Sequence, residues 1–156
     1  MVKPLAQGFS SLLQPRLRNI AAGMTLSLGM LSTAAEAAPL LLEVQNIQGD
    51  AGEIRASIYR EPESFRKEDK ALQVASAPAR AGSVTLDFDS LPPGRYAVMV
   101  YHDANSDRKL NLRFGMFPVE GYGLSNNPTV IGPPKFESSA FDLRDGENRI
   151  EIRLTY

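Results

Sequence analysis

A β-sandwich of about seven antiparallel strands, immunoglobulin-like or transthyretin-like, is predicted by three features of the sequence. Apolar and polar residues alternate with period two in successive segments from Leu40 onward, turn residues punctuate those segments at short intervals, and only Pro62–Ala71 holds a run of helix formers. Side chains of a strand alternate between its faces, so an alternating run with one apolar phase marks a sheet with one buried side.

In chain order, Leu40, Leu42 and Val44 alternate with Leu41, Glu43 and Gln45, and Ile54, Ala56 and Ile58 alternate with Arg55, Ser57 and Tyr59. Asn46–Gly52, containing Gly49-Asp50, lies between them, so the two segments are expected to form an antiparallel pair. Pro62 precedes Glu63, Ser64, Phe65, Arg66, Lys67, Glu68, Asp69 and Lys70, and predicts a short helix or helical turn linking two strands. Leu72–Ala77 is a further strand candidate. Val84, Leu86 and Phe88 alternate with Thr85, Asp87 and Asp89 in the clearest half-buried strand of the chain. Leu91-Pro92-Pro93-Gly94 forces a turn, because two prolines lack N–H donors and glycine permits positive φ. Tyr96, Val98 and Val100 alternate with Ala97, Met99 and Tyr101; apolar on both faces, this strand is expected to be central. Ser138–Leu143 is another candidate, and after Asp145-Gly146 the last strand carries Ile150, Ile152 and Leu154 against Arg149, Glu151 and Arg153.

The first 37 residues read as an address rather than as structure. Lys3, Arg16 and Arg18 precede an apolar run, Ile20–Leu31, followed by Ala35-Glu36-Ala37, the pattern of a secretory signal peptide cut after Ala37. The run has 12 residues, short of the roughly 20 that span a bilayer, and the chain from Ala38 is expected to carry no transmembrane segment. No Cys is present to take a lipid, and Leu17 separates Arg16 from Arg18, against a twin-arginine signal. The expected organisation is a signal peptide over 1–37 and a single β-sandwich domain over 38–156, periplasmic or secreted.

Composition removes several function classes. The 156 residues hold 17 Lys and Arg against 18 Asp and Glu. Loss of Lys3, Arg16, Arg18 and Glu36 with the leader leaves 14 against 17, a net charge of −3, which gives no electrostatic footing for nucleic acid. Absence of Cys excludes disulfides, thiolate metal sites and thiol nucleophiles, and a single His excludes any site needing two imidazoles. Ser125 is not in a Gly-x-Ser-x-Gly elbow, and Gly121-Tyr122-Gly123 lacks the strand–turn–helix frame of a dinucleotide fingerprint.

The polar run after the central strand, His102-Asp103-Ala104-Asn105-Ser106-Asp107-Arg108-Lys109-Leu110-Asn111, carries the candidate chemistry. Asp103, Asn105, Asp107 and Asn111 stand at positions 1, 3, 5 and 9 of a loop, the spacing at which oxygens converge on a hard cation such as Ca²⁺, and Lys109 at position 7 would add its carbonyl. Arg108 replaces the glycine usual at position 6 and Phe114 the bidentate Glu at position 12, so Glu120 or backbone oxygens would have to complete the set. The competing reading is that these Asp and Asn residues bond their own backbone as turn formers. His102 and Asp103 are neighbours on a strand and point to opposite faces, so they form no dyad.

Phe114–Asn127 is too rich in glycine and proline for a regular strand and too aromatic for a plain solvated loop; its rings are expected to pack on the end of the sandwich. Tyr122, Asn126 and Asn127 are the candidate ligand contacts, able to offer stacking and amide hydrogen bonds to a sugar or peptide. The alternative role for this segment is a structural cover over a sheet edge.

Three motifs in order, Leu91-Pro92-Pro93-Gly94-Arg95-Tyr96-Ala97-Val98, His102-Asp103-Ala104-Asn105 and Gly115-Met116-Phe117-Pro118-Val119-Glu120-Gly121-Tyr122-Gly123-Leu124-Ser125-Asn126-Asn127, closely resemble the bacterial family catalogued as domain of unknown function 2141. The resemblance implies an exported protein with a β-sandwich and supplies no activity. The family's loop usually reads His-Asp-x-Asn-x-Asn or Asp-Gly-Lys-x-Asp; here Asp107 fits, Arg108 replaces the Gly, and Asn111 stands where an Asp is usual. The Leu-Pro-Pro-Gly-x-Tyr-Ala segment also looks like the turn and strand of transthyretin-like and collagen-adhesin B-type domains, an analogy of fold that does not transfer function.

These readings lead to an expected exported, non-enzymatic binding or structural module of the cell envelope, its partner a glycan or a protein. The competing expectation is an enzyme acting on an envelope polymer through His102, Asp103 and Glu120. A third is an interaction module of an envelope assembly, recognisable by an exposed apolar patch or an unpaired edge strand.

Overall fold

Alternation builds two sheets around one apolar core. The computed structural model describes residues 37–156; apart from Ala37, the expected leader lies outside the described residues. Within them the strands are β1 (Ala38–Ile47), β2 (Glu53–Tyr59), β3 (Gln73–Pro78), β4 (Gly82–Leu91), β5 (Gly94–Asp103), β6 (Leu112–Arg113), β7 (Phe117–Pro118), β8 (Tyr122–Leu124), β9 (Ala140–Leu143) and β10 (Asn148–Arg153). One sheet runs β10-β1-β4 and the other β3-β2-β5, with β8 and β9 sharing the far edge of β5. Leu40, Leu42 and Val44 of β1, Leu86 and Phe88 of β4 and Ile152 of β10 meet Ile54, Ala56 and Ile58 of β2 and Tyr96, Val98 and Val100 of β5 in one buried cluster. Each fully buried Leu or Ile there contributes about 1.5–3 kcal/mol by leaving water.

The all-β, sandwich-like fold therefore matches expectation, and the inward phases are the ones the alternation gives. The pairing does not match. β1 and β2, expected as an antiparallel pair, lie in different sheets: β1 is flanked by β4 (Leu42 opposite Leu86) and β10 (Leu42 opposite Ile150), which occupy both its edges. The segment after β1 crosses between layers instead of closing a hairpin. It is fastened to the β3–β4 crossing by Ala79 N–H to Gly52 O (3.1 Å) and Ala81 N–H to Asp50 Oδ1 (2.6 Å). Gly52, at φ 72°, is required there, since a Cβ would overlap the carbonyl of Asp103. The sheets are also not wholly antiparallel: β9 pairs with β5, so the following turn returns the chain to the first sheet and β10 enters parallel to β1.

Seven of the ten strands answer to the segments expected from the sequence; the others are the two- or three-residue β6, β7 and β8, in the stretch read as loop. Pro62–Ala71 forms turns and a short 3-10 helix, Glu68–Lys70, and a four-residue helix α1 (Phe136–Ser139) precedes β9. These connections cover the outer face of β5. Tyr59, Phe65 and Phe136 pack edge to face there, with ring centroids 5.4 and 5.9 Å apart, beside Ala97 and Leu124. β5 is thus buried on both faces. The Tyr96 hydroxyl donates to Pro92 O (2.7 Å), tying the crossing into β5 much as a tyrosine corner ties an immunoglobulin-like sandwich.

Candidate functional site

β5 ends in His102 and Asp103, whose side chains leave on opposite faces and serve separate neighbours. His102 is buried, with Nε2 2.8 Å from Ala51 O and Nδ1 2.9 Å from Tyr156 Oη. A carbonyl only accepts, so Nε2 carries the proton. Tyr156 Oη already accepts Gln48 N–H (3.0 Å) and has its own hydrogen free to give to Nδ1. Both ring nitrogens are thus occupied by structural partners. Gly121 makes room for this arrangement: a Cβ on it would come closer to the Tyr156 ring than any carbon contact allows.

Asp103 is wholly buried. Its Oδ1 accepts Asp107 N–H (3.1 Å) and its Oδ2 accepts Arg108 N–H (2.7 Å). Glu120, buried at the return of the chain, accepts Ala104 N–H at Oε1 (3.1 Å) and Asn111 N–H at Oε2 (2.9 Å). One carboxylate thereby holds the middle of the loop and the other draws its two ends together. Ser106 and Arg108 adopt φ of 59° and 60°, so Arg108 occupies in left-handed conformation the position a calcium loop gives to glycine.

Asn105, Asp107 and Asn111 meet at the outer side of the loop. Asp107 Oδ2 accepts Asn105 Nδ2 (3.1 Å) and Asn111 Nδ2 (3.0 Å), and Oδ1 accepts Lys109 N–H (2.9 Å). These donors, Asn111 first, hold the Asp107 carboxyl below the usual carboxylate range. The loop therefore gathers Asp103, Asn105, Asp107 and Asn111, while Lys109 enters through its N–H, where its carbonyl was the expected donor. Among the described residues no three His, Cys, Asp or Glu side chains are grouped so as to hold a metal ion.

The candidate ligand contacts have largely structural partners. Asn126 Nδ2 donates to Ala140 O (2.7 Å). Asn127 accepts Arg153 N–H (2.8 Å) and donates to Glu151 O (2.9 Å), so its amide covers the outer edge of β10. The backbone of Tyr122 exchanges both bonds with Thr155 (2.9 and 2.8 Å). Tyr122 and Asn127 line an open hollow of about 390 Å³ with Pro128, Val130 and Arg153; Asn126 is not in its wall.

Two features escaped the sequence reading. The first is a cluster on the outer face of the β2–β5 sheet, where Arg55 bridges Glu53 (2.7 Å) and Glu68 (2.6 Å) and donates from Nε to Tyr101 Oη (3.1 Å). The second corrects an expectation. The rings of Phe114 and Phe117 do not pack on the sandwich: they are 83% and 62% exposed, and Met116 is 69% exposed. β6 and β7 pair with each other alone, and with Glu120 pinching the loop at its base the hairpin leaves the sandwich instead of folding back on it. Met116 N–H closes the turn on Arg113 O (3.2 Å) through Phe114 and Gly115 at φ of 56° and 68°. Gly115 suits that conformation, but Phe is not the Asn, Asp or Gly that marks the position before it, so the sequence carries no clear hairpin signal here.

Comparison with curated proteins and with solved structures finds no significant match. The family comparison does: residues 42–151 match the family described as an uncharacterized protein conserved in bacteria (DUF2141), and the chain belongs to it.

Proposed function

We propose that this chain is an exported, non-enzymatic β-sandwich module of the bacterial cell envelope whose function is to present the loop between β5 and β8 to a partner. One observation carries the reading: Asp103 and Glu120, the two buried carboxylates of the site, spend all four oxygens on backbone N–H groups of that loop. A carboxylate committed in this way is a fastener, with no free oxygen turned toward a substrate as general base. His102 is likewise engaged at both nitrogens and shares no hydrogen-bond partner with Glu120, which counts against an acid–base pair made of the two. Export is supported by the leader pattern and by β1 starting at Ala38, the residue after the expected cut. The test is expression of the full chain in a bacterial host, envelope fractionation and N-terminal sequencing. A periplasmic or secreted product beginning at Ala38 is expected; an uncleaved cytoplasmic chain overturns the reading.

A second reading, a hard cation such as Ca²⁺ held by Asp103, Asn105, Asp107, Lys109 and Asn111, is favoured by the left-handed Arg108 and by Asp103 accepting the N–H groups of positions 5 and 6. It requires the Asn105 and Asn111 amides to turn their oxygens toward Asp107 in place of their nitrogens. With a dissociation constant of about 1 mM, about 10 mM Ca²⁺ would add about 1.4 kcal/mol, a rise of about 5 °C in Tm over an EDTA control. An unchanged Tm rejects it.

A further inference from the structure

The loop held by Asp103 and Glu120 ends in a hairpin whose chemistry is unlike the rest of the surface. Leu112, Phe114, Met116, Phe117 and Val119 are all exposed large apolar residues, five within eight positions. Monomeric soluble domains seldom leave such a group in water without a partner for it. Directly opposed residues in a hairpin share a face, so Leu112 and Pro118 lie on one side and Arg113 and Phe117 on the other. Apolar groups therefore point both ways, with Phe114 and Met116 at the turn. A protein groove meets one face of a hairpin, whereas a fluid apolar medium surrounds its tip.

Charge selects the medium. From Arg108 to Val119 the sequence holds Arg108, Lys109 and Arg113 and no acidic residue, in a chain whose acids otherwise outnumber its bases. All three cations are exposed. Of the flanking acids, Asp103 and Glu120 are buried and bound to backbone, and the exposed Asp107 is turned to the Asn105 and Asn111 amides and Lys109 N–H, leaving three cations against one anion at the base of the hairpin. Apolar tip and cationic base together are the pattern of an interfacial anchor, the cations meeting phosphate head groups while their methylene stems lie along the apolar layer. Reach agrees: the two or three residues from Leu112 to the turn extend about 7–10 Å, against the roughly 5–10 Å to which interfacial elements sink. Phe114 adds an indication, since the turn closed by Met116 N–H on Arg113 O (3.2 Å) holds it at φ 56°, where a bulky residue is strained and Gly or Asn would not be, yet its ring packs on nothing in the sandwich.

We propose that the β6–β7 hairpin is a membrane-docking finger that inserts Phe114, Met116 and Phe117 into the interfacial layer of an anionic phospholipid bilayer, with Arg108, Lys109 and Arg113 on the head groups. The inference rests on the loop-presentation reading above and names its partner; it does not depend on whether the leader is cleaved.

The test uses the chain from Ala38, which contains both sheets and the core residues that close between them, after circular dichroism and a cooperative melt show each protein folded. Vesicles of phosphatidylcholine with about 30 mol % phosphatidylglycerol are expected to co-sediment wild-type protein and pure phosphatidylcholine vesicles to bind much less, with the difference shrinking between about 0.1 and 0.5 M salt. Phe114→Ser, Met116→Ser and Phe117→Ser together should lower partitioning at least about 30-fold. Arg108→Gln, Lys109→Gln and Arg113→Gln should lower it about 10-fold or more and remove the lipid preference. Because the chain contains no Trp, Phe114→Trp supplies a single reporter, whose emission should shift to the blue with anionic vesicles and be quenched by brominated acyl chains. Absence of binding to anionic vesicles, or binding that the Ser triple leaves intact, overturns the proposal. So does a wild-type dimer in sedimentation velocity that the Ser triple dissociates, which would assign the finger to a second copy of the chain. None of these outcomes touches the location of the N-terminus or the loop's fastening, so the earlier reading fails separately.

Discussion

Asp103 and Glu120 grip the same loop at different points: Asp103 takes the N–H groups of Asp107 and Arg108 in its middle, and Glu120 takes those of Ala104 and Asn111 where it leaves and rejoins the sandwich. The two carboxylates have no N–H in common. Their removal should therefore expose different amides. Each bond to a charged acceptor is worth about 1.5–3 kcal/mol and the pairs are not additive, so Asp103→Ala or Glu120→Ala should cost about 2–4 kcal/mol in urea unfolding. Hydrogen exchange by NMR supplies the sharper reading. Asp103→Ala should deprotect Asp107 and Arg108 and spare Ala104, and Glu120→Ala should do the reverse; uniform loss of protection in both would show that the loop is held as one unit.

Gly52 and Gly121 mark where the end of β5 is crowded from two directions. Gly121→Ala drives a methyl group into the Tyr156 ring, and that ring also meets His102. The substitution should cost about 1–3 kcal/mol as overpacking. Tyr156→Ala removes the obstructing ring, so the double variant should be more stable than the sum of the two single losses requires, by about 1 kcal/mol in a double-mutant cycle. Additive losses would mean that the ring swings aside freely.

The inward residues of β1, β2, β4, β5 and β10 were legible because alternation states which side chains turn to the core. Alternation does not state which strand lies alongside. That choice was made by crossings such as Asn46–Gly52 and by the return of β10 beside β1, contacts between residues about a hundred positions apart. The site divided in the same way. The Asx-type bonding of Asp103, Asn105 and Asp107 spans a few residues and follows from their types, whereas the role of Glu120 joins positions 104 and 120 and has no local signature. The β6–β7 hairpin was misread for a different reason. Apolar composition argues for burial, and a segment that exposes such side chains violates the rule from which burial is inferred.

Alkaline stability should fall in a defined window. Burial pushes the Tyr59 hydroxyl up to about 12 from an ordinary value near 10. A group whose folded pKa exceeds its unfolded one favours folding fully below the unfolded value and loses that contribution as pH rises through the folded one. Tyr101, buried beside Glu68, and Tyr156 are displaced in the same direction. Urea midpoints should thus hold to about pH 10 and decline toward pH 12, and Tyr59→Phe should decline less steeply. A wild-type profile that is flat through that range would show that these hydroxyls are as free to ionise in the fold as outside it.

Arg55 anchors the outer face of the β2–β5 sheet. Its guanidinium lies between Glu53 and Glu68, with only 12% of the side chain exposed, and Tyr101 closes the group by donating to Glu68 (2.9 Å). The Glu68 contact, opposed by burial and helped by Glu53, holds its pKa above the ordinary arginine value. Removal of the cation leaves two half-buried carboxylates facing one another across the gap. Arg55→Met should therefore destabilise the domain by about 1–3 kcal/mol and loosen the 3-10 helix, whose attachment to the sheet includes Glu68. Arg55→Lys should recover only part of the loss, because one ammonium cannot reproduce three N–H bonds in a plane. Arg55→Met with Glu68→Gln, which removes one of the uncompensated charges, should be less damaging than the separate losses added together, and thermal melts of the four proteins decide it. Independence of the two sites would show that Glu68 is held by its own turn and by the Tyr101 and Ser57 hydroxyls without Arg55.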